Sequence, residues 1–260
     1  MIIIINPVAF ELFNLKIRWY GIIIAAALLI SLFVLKLILK DVKKLDFDFY
    51  LDYIILAFPL AILGARFYYV IFNLPYYLSN PVEIIAIYHG GLAIHGGLLV
   101  GILVLYFWAR HRAVNFWQAL DFLAPAVALA QALGRWGNFI NQEAYGRVVR
   151  ADFFVMLPEF IKKQMFINGY YREPTFLYES ILDLLLFLIL IIYRQNSKRA
   201  SGDLAAIYLA GYSGYRFFIE DLRTDSLVIA DFQIARIISV LLFIFALIVL
   251  LKNHISTANN

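Results

Sequence analysis

The chain has 260 residues, of which 63% are hydrophobic and 15% charged, and its mean hydropathy is +0.81. A soluble domain is about half apolar and about a quarter charged, so composition alone reads as an integral membrane protein. The absence of cysteine excludes disulfides, thiolate metal sites and a cysteine nucleophile of the chain's own. A formal net charge of +4 is too modest to suggest nucleic acid as a partner.

The opening stretch, Met1 to Phe10, is short, apolar and uncharged, and does not read as a cleaved signal peptide. A membrane-spanning helix needs about 20 largely apolar residues. Seven segments meet that need, at 17–38, 49–72, 91–109, 119–140, 176–193, 203–222 and 232–251. The connections between them alternate in character. One set is basic: Lys40, Lys43 and Lys44; Arg110, His111 and Arg112; Arg194, Lys198 and Arg199; and Lys252. The other set, 73–90, 141–175 and 223–231, is richer in Asn, Pro, Tyr and Glu. Basic loops face the cytoplasm, which places the N-terminus outside and the C-terminus inside. Arg147, Arg150, Lys162, Lys163 and Arg172 then fall on the outside and make that face cationic. The expected fold is therefore an all-α integral membrane protein of seven transmembrane helices. It forms a single polytopic domain over 1–260, with a small external cap at 141–175.

Aromatic pairs at Trp19-Tyr20, Tyr68-Tyr69, Tyr76-Tyr77 and Tyr170-Tyr171 suit the membrane interfaces. Pro59 and Pro125 lie inside spans and are candidates for kinks. No two halves match in hydropathy, so the repeat signature of many transporters is missing. The one local repeat is His89-Gly90-Gly91 and His95-Gly96-Gly97.

Ionisable residues inside spans mark functional sites by default. In the fourth span Gln131, Arg135, Asn138 and Gln142 stand at i, i+4, i+7 and i+11, on one helical face at its outer end. Asp121 lies on roughly the same face, about 21 Å deeper by helical rise. In the sixth span Tyr212, Arg216, Glu220 and Arg223 repeat the pattern. Two arginine-bearing faces at one membrane level suit a phosphate, which arginine binds bidentately while keeping its charge. Plainer readings stand beside this one. Arg216 and Glu220 form an intrahelical ion pair, and Arg135 pairs with Asp121 or Glu143. Arg66 either snorkels to the interface or binds a ligand. Glu179 and Asp183 serve helix–helix hydrogen bonding. His89 and His95 flank glycine pairs where an irregular backbone would line a polar cavity, and histidine suits proton transfer near neutrality. No His, Asp or Glu set has ligand spacing, so no metal is expected. From the residues alone, the outer half of the bundle is a polar, lipid-accessible pocket. It belongs to an enzyme or a transporter acting on an anionic phospholipid.

The long polar insert Gly134-Arg135-Trp136-Gly137-Asn138-Phe139-Ile140-Asn141, followed by Glu143 and Gly146-Arg147, resembles the signature of the prolipoprotein diacylglyceryl transferase family. Further matches are Asn6-Pro7-Val8-Ala9-Phe10, Ile17-Arg18-Trp19-Tyr20-Gly21, Gly64-Ala65-Arg66-Phe67-Tyr68-Tyr69, His89 to Gly101, Pro174-Thr175-Phe176-Leu177-Tyr178-Glu179 and Gly211 to Arg223. The resemblance implies a multi-pass enzyme of the bacterial plasma (inner) membrane with its active site facing the outer leaflet. It implies transfer of diacylglyceryl from phosphatidylglycerol to the lipobox cysteine of a prolipoprotein signal peptide, without a cofactor. A thioether forms and glycerol phosphate leaves. The family's functional positions fall on Tyr20, His95, Arg135, Asn138, Asn141, Glu143, Gly146, Arg216 and Glu220. By this resemblance Arg135 and Arg216 bind the headgroup and stabilise developing charge, while Asn138 and Asn141 orient its oxygens. Gly146 belongs to the same lipid-binding set, Glu143 or Glu220 holds the arginines, and Tyr20 joins the catalytic group. His95 is the expected thiol base, with Glu143 as its rival. Family members often carry His where this chain has Glu173. The competing class is an anionic phospholipid or solute transporter without catalysis.

Overall fold

In the computed structural model, residues 5–13, 15–40, 42, 45–196, 199–224, 228–229 and 232–258 are described. Met1 to Ile4, Lys43, Lys44 and Lys198 lie outside the described residues. Among the described residues the strands are short and lie outside the long apolar segments, which are helical. The chain enters through an antiparallel hairpin of β1 (Val8–Leu12) and β2 (Leu15–Arg18), in which Phe10 pairs with Ile17 and Leu12 with Leu15. It passes straight into α1 (Trp19–Leu39), whose first amide donates to Pro7 O at 3.0 Å.

Asp46 caps α2 (Phe47–Phe72) by accepting from Phe49 N at 2.9 Å, which satisfies an amide that has no partner within the helix. A short α3 (Leu74–Ser79) and two 3-10 turns, Pro81–Ile85 and Ile87–His89, lead to α4 (Ile94–His111). Helices α2 and α4 pack closely where Gly64 meets Gly96. A Cβ on Gly96 would fall 3.0 Å from Gly64 C.

The helix α5 (Phe116–Asn141) runs unbroken through Pro125, as α2 does through Pro59. Beyond it, β3 (Val148–Val149), α6 (Glu159–Gln164), β4 (Phe166–Ile167) and β5 (Tyr170–Arg172) form a miniature α/β element. Its antiparallel sheet has the order β3-β5-β4. Asn168 and Gly169, with φ of 52° and 83°, make the tight β4–β5 turn, a conformation that this residue pair favours. Phe154, Ile161, Met165 and Ile167 bury themselves against Phe139 of α5 and Phe176. Gln164, 1% exposed, donates to Ile140 O at 3.0 Å, while Gln142 donates to Gln164 O at 2.6 Å. These amides occupy carbonyls that the end of a helix leaves open, and they fasten the element to the end of α5.

The chain continues through α7 (Thr175–Tyr193), α8 (Asp203–Leu222), the paired β6 (Val228–Ile229) and β7 (Phe232–Gln233), and α9 (Ile234–Ala258). Asp121 of α5, fully buried, accepts from Gly202 N at 2.8 Å and Ala205 N at 3.0 Å, and lies 3.6 Å from Arg199 Nη1. It caps α8 and does not reach toward Arg135.

Among the described residues six helices are long and apolar enough to cross a membrane: α1, α2, α4, α5, α7 and Ile234–Ile255 of α9. The helix α8 forms at 203–222 as expected, but Asp203, Arg216, Glu220 and its tyrosines make it too polar to count among them. The protein is thus an all-helical, multi-pass membrane protein. The structure divides into two compact units: one is the chain up to Leu37 and from Leu120 onward, the other Ile38–Ala119.

Candidate active site

In the first unit the polar faces of α5, α7 and α8 meet. Arg135 on α5 directs Nη2 to 2.5 Å from Glu179 Oε2, and its Nε lies 3.8 Å from Asp183 Oδ2. Glu179 and Asp183 stand one helical turn apart on α7 and are 1% and 0% exposed. From α8, Arg216 places Nη1 3.4 Å from the other oxygen of Glu179 and Nη2 2.5 Å from Glu220 Oε2. Arg223, just past the end of α8, brings Nη1 to 3.7 Å from the same Glu179 oxygen. Tyr215 OH donates to Asp183 Oδ1. Three guanidinium groups therefore surround one buried carboxylate. In such surroundings a charge is tolerated only when it is paired.

The signature loop follows directly on the end of α5. Helix α5 ends at Asn141, and Gln142 and Ala144 take positive φ of 53° and 54°. The reversal brings Glu143 back, so that Asn138 Nδ2 donates to Glu143 Oε1 at 2.8 Å. The ring of Tyr20 from α1 lies against Gly137, where a Cβ would come within 2.8 Å of it, and within electrostatic reach of Glu143 and Arg135. Gly146 sits where three segments converge. Its amide donates to Glu173 O at 2.9 Å, and it bridges to Arg223. A Cβ at Gly146 would stand 2.9 Å from Glu173 Cβ, 3.1 Å from Leu222 O and 3.1 Å from Thr175 Cγ2. Glu173 accepts from Arg147 Nε at 3.1 Å and from Tyr178 OH at 3.3 Å. Its carboxylate thus anchors the last residue of the signature.

Among the described residues Asn141 Oδ1 is buried without a hydrogen-bond partner, while Arg135 Nε, Glu179 Oε2 and Asp183 Oδ2 are buried with ion-pair contacts but no well-formed hydrogen bond. Buried polar atoms are paired in the great majority of cases, so the unpartnered Asn141 Oδ1 is a candidate contact for a ligand.

Tyr20, Arg135, Asn138, Asn141, Glu143, Gly146, Arg216 and Glu220 thus belong to one unit. The i, i+4 pairing of Arg216 with Glu220 is present, and it coexists with the contact of Arg216 to Glu179. His95 belongs to the other unit, on the first turn of α4, its ring 6.3 Å from that of Tyr68. His89 pairs with Glu83 at 2.9 Å on the surface. Arg66 neither snorkels nor faces solvent; it is 5% exposed and bonded to backbone carbonyls. Sequence reasoning left Glu179 and Asp183 out of the site as helix–helix contacts, whereas it placed Arg223 with Arg216 on the polar face of the sixth span. The signal for Glu179 and Asp183 was their i, i+4 spacing on one face of a span.

Residues 7–252 match the family model described as prolipoprotein diacylglyceryl transferase. A phosphatidylglycerol–prolipoprotein diacylglyceryl transferase of Streptococcus mutans serotype c is 48% identical over 256 residues, covering 96% of this chain and 97% of the relative. Proteins of the same name from Clostridium novyi and Streptococcus pneumoniae serotype 4 are 45% and 49% identical. The first match covers 96% of each chain, the second 92% of this chain and 90% of the relative. With matches of this extent and identity, the chain belongs to the prolipoprotein diacylglyceryl transferase family.

Proposed function

We propose that the protein transfers the diacylglyceryl group of phosphatidylglycerol to the cysteine thiol of a prolipoprotein lipobox. The observation that carries this reading is the convergence of Arg135 and Arg216, from two helices, on one buried carboxylate. A group that gathers two guanidinium forks marks a place where an anion of similar size is held. The phosphodiester headgroup binds beside Glu179 on these same two guanidinium groups, with Asn138 and Asn141 orienting its oxygens.

In the reaction a C–S bond forms at the glyceryl methylene that carries the phosphate ester. The C–O bond at that carbon breaks, and its electron pair leaves with glycerol phosphate. The leaving group gains one negative charge as the diester becomes a monoester. Arg135 and Arg216 stabilise that developing charge, which is where fixed positive groups accelerate a reaction. Glu220 and Glu179 hold the two forks in place, and Tyr20 packs against the signature helix beside them. The thiol must lose its proton to attack. His95 is the proposed acceptor and Glu143 the alternative. Gly146 keeps the loop close enough to α7 and α8 for the arginines to meet.

The whole chain acts as one polytopic membrane domain, with α8 as a seventh crossing whose polar face turns inward. The basic connections support a cytoplasmic C-terminus and an outside N-terminus. On this reading 141–175 and the site lie at the outer leaflet of the bacterial plasma membrane. The test is incubation of membranes bearing the protein with phosphatidylglycerol and a cysteine-containing lipobox peptide. A mass gain equal to diacylglyceryl supports the reading. No gain with intact protein, together with movement of lipid between leaflets, would transfer it to the transporter class.

A further inference from the structure

Arg66 on α2 is 5% exposed and spends its guanidinium on the backbone of one irregular segment. Its Nε donates to Ile84 O at 3.0 Å, and Nη1 donates to Gly90 O at 2.7 Å and Gly91 O at 3.0 Å. Nη2 donates to Glu83 O and, at 3.5 Å, to Ala86 O. The cation also stands 5.1 Å over the ring of Tyr77. A planar fork with five donors matches this arrangement of carbonyls, and a lysine ammonium does not.

The segment that Arg66 gathers runs straight into His95. The neighbours of Arg66 touch that path at successive points. Ala93 N donates to Ala65 O at 3.0 Å, Gly64 lies against Gly96, and the ring of Tyr68 faces that of His95. One turn of α2 is thus the seat on which the start of α4 rests. Gly91 has φ of +69°, and a Cβ there would collide with Arg66 Nη1 and stand 2.9 Å from Tyr69 Cε1.

We propose that Arg66 is a positioning residue of the transfer reaction, which fixes the backbone from Glu83 to Gly91 and thereby the place of His95. The inference rests on the reading of His95 as the thiol base. A base displaced by about an ångström loses on the order of 100-fold in rate, while lipid binding at Arg135 and Arg216 is untouched.

The experiment is a cycle of Arg66→Lys, His95→Gln and the double variant, assayed in detergent with phosphatidylglycerol and lipobox peptide. We expect R66K to lower kcat by at least about tenfold with KM for phosphatidylglycerol unchanged, and to add less than about twofold in the H95Q background. Gly91→Ala, which pushes on the same guanidinium from the other side, reproduces the loss. Two results would overturn the positioning role with the base reading intact: R66K activity within about twofold of wild type, or losses of R66K and H95Q that multiply. Failure of both R66K and G91A to yield folded protein would overturn it too, by making Arg66 a residue of the fold. Full activity of H95Q instead removes the base reading itself, and with it the route from Arg66 through His95.

Discussion

Arg135 Nη2 lies 2.5 Å from Glu179 Oε2, so the signature arginine of α5 is held by a carboxylate of α7 that is 1% exposed. That carboxylate also faces Arg216 and Arg223, and it is the common point of three guanidinium groups drawn from α5, α8 and the loop after it. Removing one partner of a buried charge cluster leaves the others uncompensated, at a cost of about 3–5 kcal/mol in a fully desolvated case. Glu179→Gln should therefore cost both stability and rate. The expected outcome is a lower Tm in detergent and a kcat reduced by at least about tenfold. An E179Q enzyme with wild-type Tm and kcat would show that the arginines organise themselves without it.

Charge alone does not meet the demands of this site. Arg135 reaches Glu179 through Nη2 while its Nε faces Asp183, and Arg216 divides its two Nη atoms between Glu179 and Glu220. Each side chain uses the width of the fork. Arg135→Lys and Arg216→Lys should each lose at least about 100-fold in kcat/KM, approaching the loss in the glutamine variants. Lysine variants within about threefold of wild type would reduce the role of the arginines to that of point charges.

The helices were legible because lipid demands long apolar segments, and 203–222 could be placed although Arg216 and Glu220 make it polar. Arg135 and Asn138 stood out because their spacing on α5 gives one polar face. What the sequence left hidden is pairing across helices. Spacing permits Asp121 to look toward Arg135 along the same helix, whereas tertiary packing gives Asp121 to the start of α8 and Glu179 to Arg135. Arg66 was hidden for the same reason. Its partners are backbone carbonyls of Glu83 to Gly91, which no side-chain pattern announces.

Gly146 is enclosed on three sides by Glu173, Leu222 and Thr175. A methyl group there forces apart the loop that carries Glu143 and the segment that carries Arg223. Gly146→Ala should destabilise the protein by about 1–3 kcal/mol, as overpacking does. It should also lower kcat/KM by at least about tenfold through misplacement of the arginines. Normal activity of G146A would mean that the Gly146–Arg223 bridge is not needed for their placement.

Asp121 provides a contrast at the far end of α5. It accepts two amides from the start of α8 and lies 3.6 Å from Arg199, and it touches none of the signature residues. Asp121→Ala leaves the buried amide of Gly202 and the half-buried amide of Ala205 without acceptors, which costs about 1–3 kcal/mol for the buried group. The expected result is a lower Tm with specific activity of the folded enzyme within about twofold of wild type. A tenfold loss of activity at unchanged Tm would connect this end of the helix to catalysis.

The identity of the base can be read from how the activity of two variants depends on pH. A free cysteine thiol ionises near pH 8.5, so its thiolate fraction rises about thirtyfold between pH 7 and pH 9.5. An enzyme without its general base regains rate as the substrate ionises unaided, whereas an enzyme with a misplaced arginine gains nothing relative to wild type. Glu143 accepts a hydrogen bond from Asn138 at 2.8 Å, which makes it a brace of the signature loop. His95→Gln should therefore show a large deficit at pH 7 that shrinks by about tenfold or more at pH 9.5. Glu143→Gln should show a deficit that stays constant across the same range. The reverse pattern would assign the proton to Glu143, and a pH-independent deficit in both would mean that neither residue accepts it.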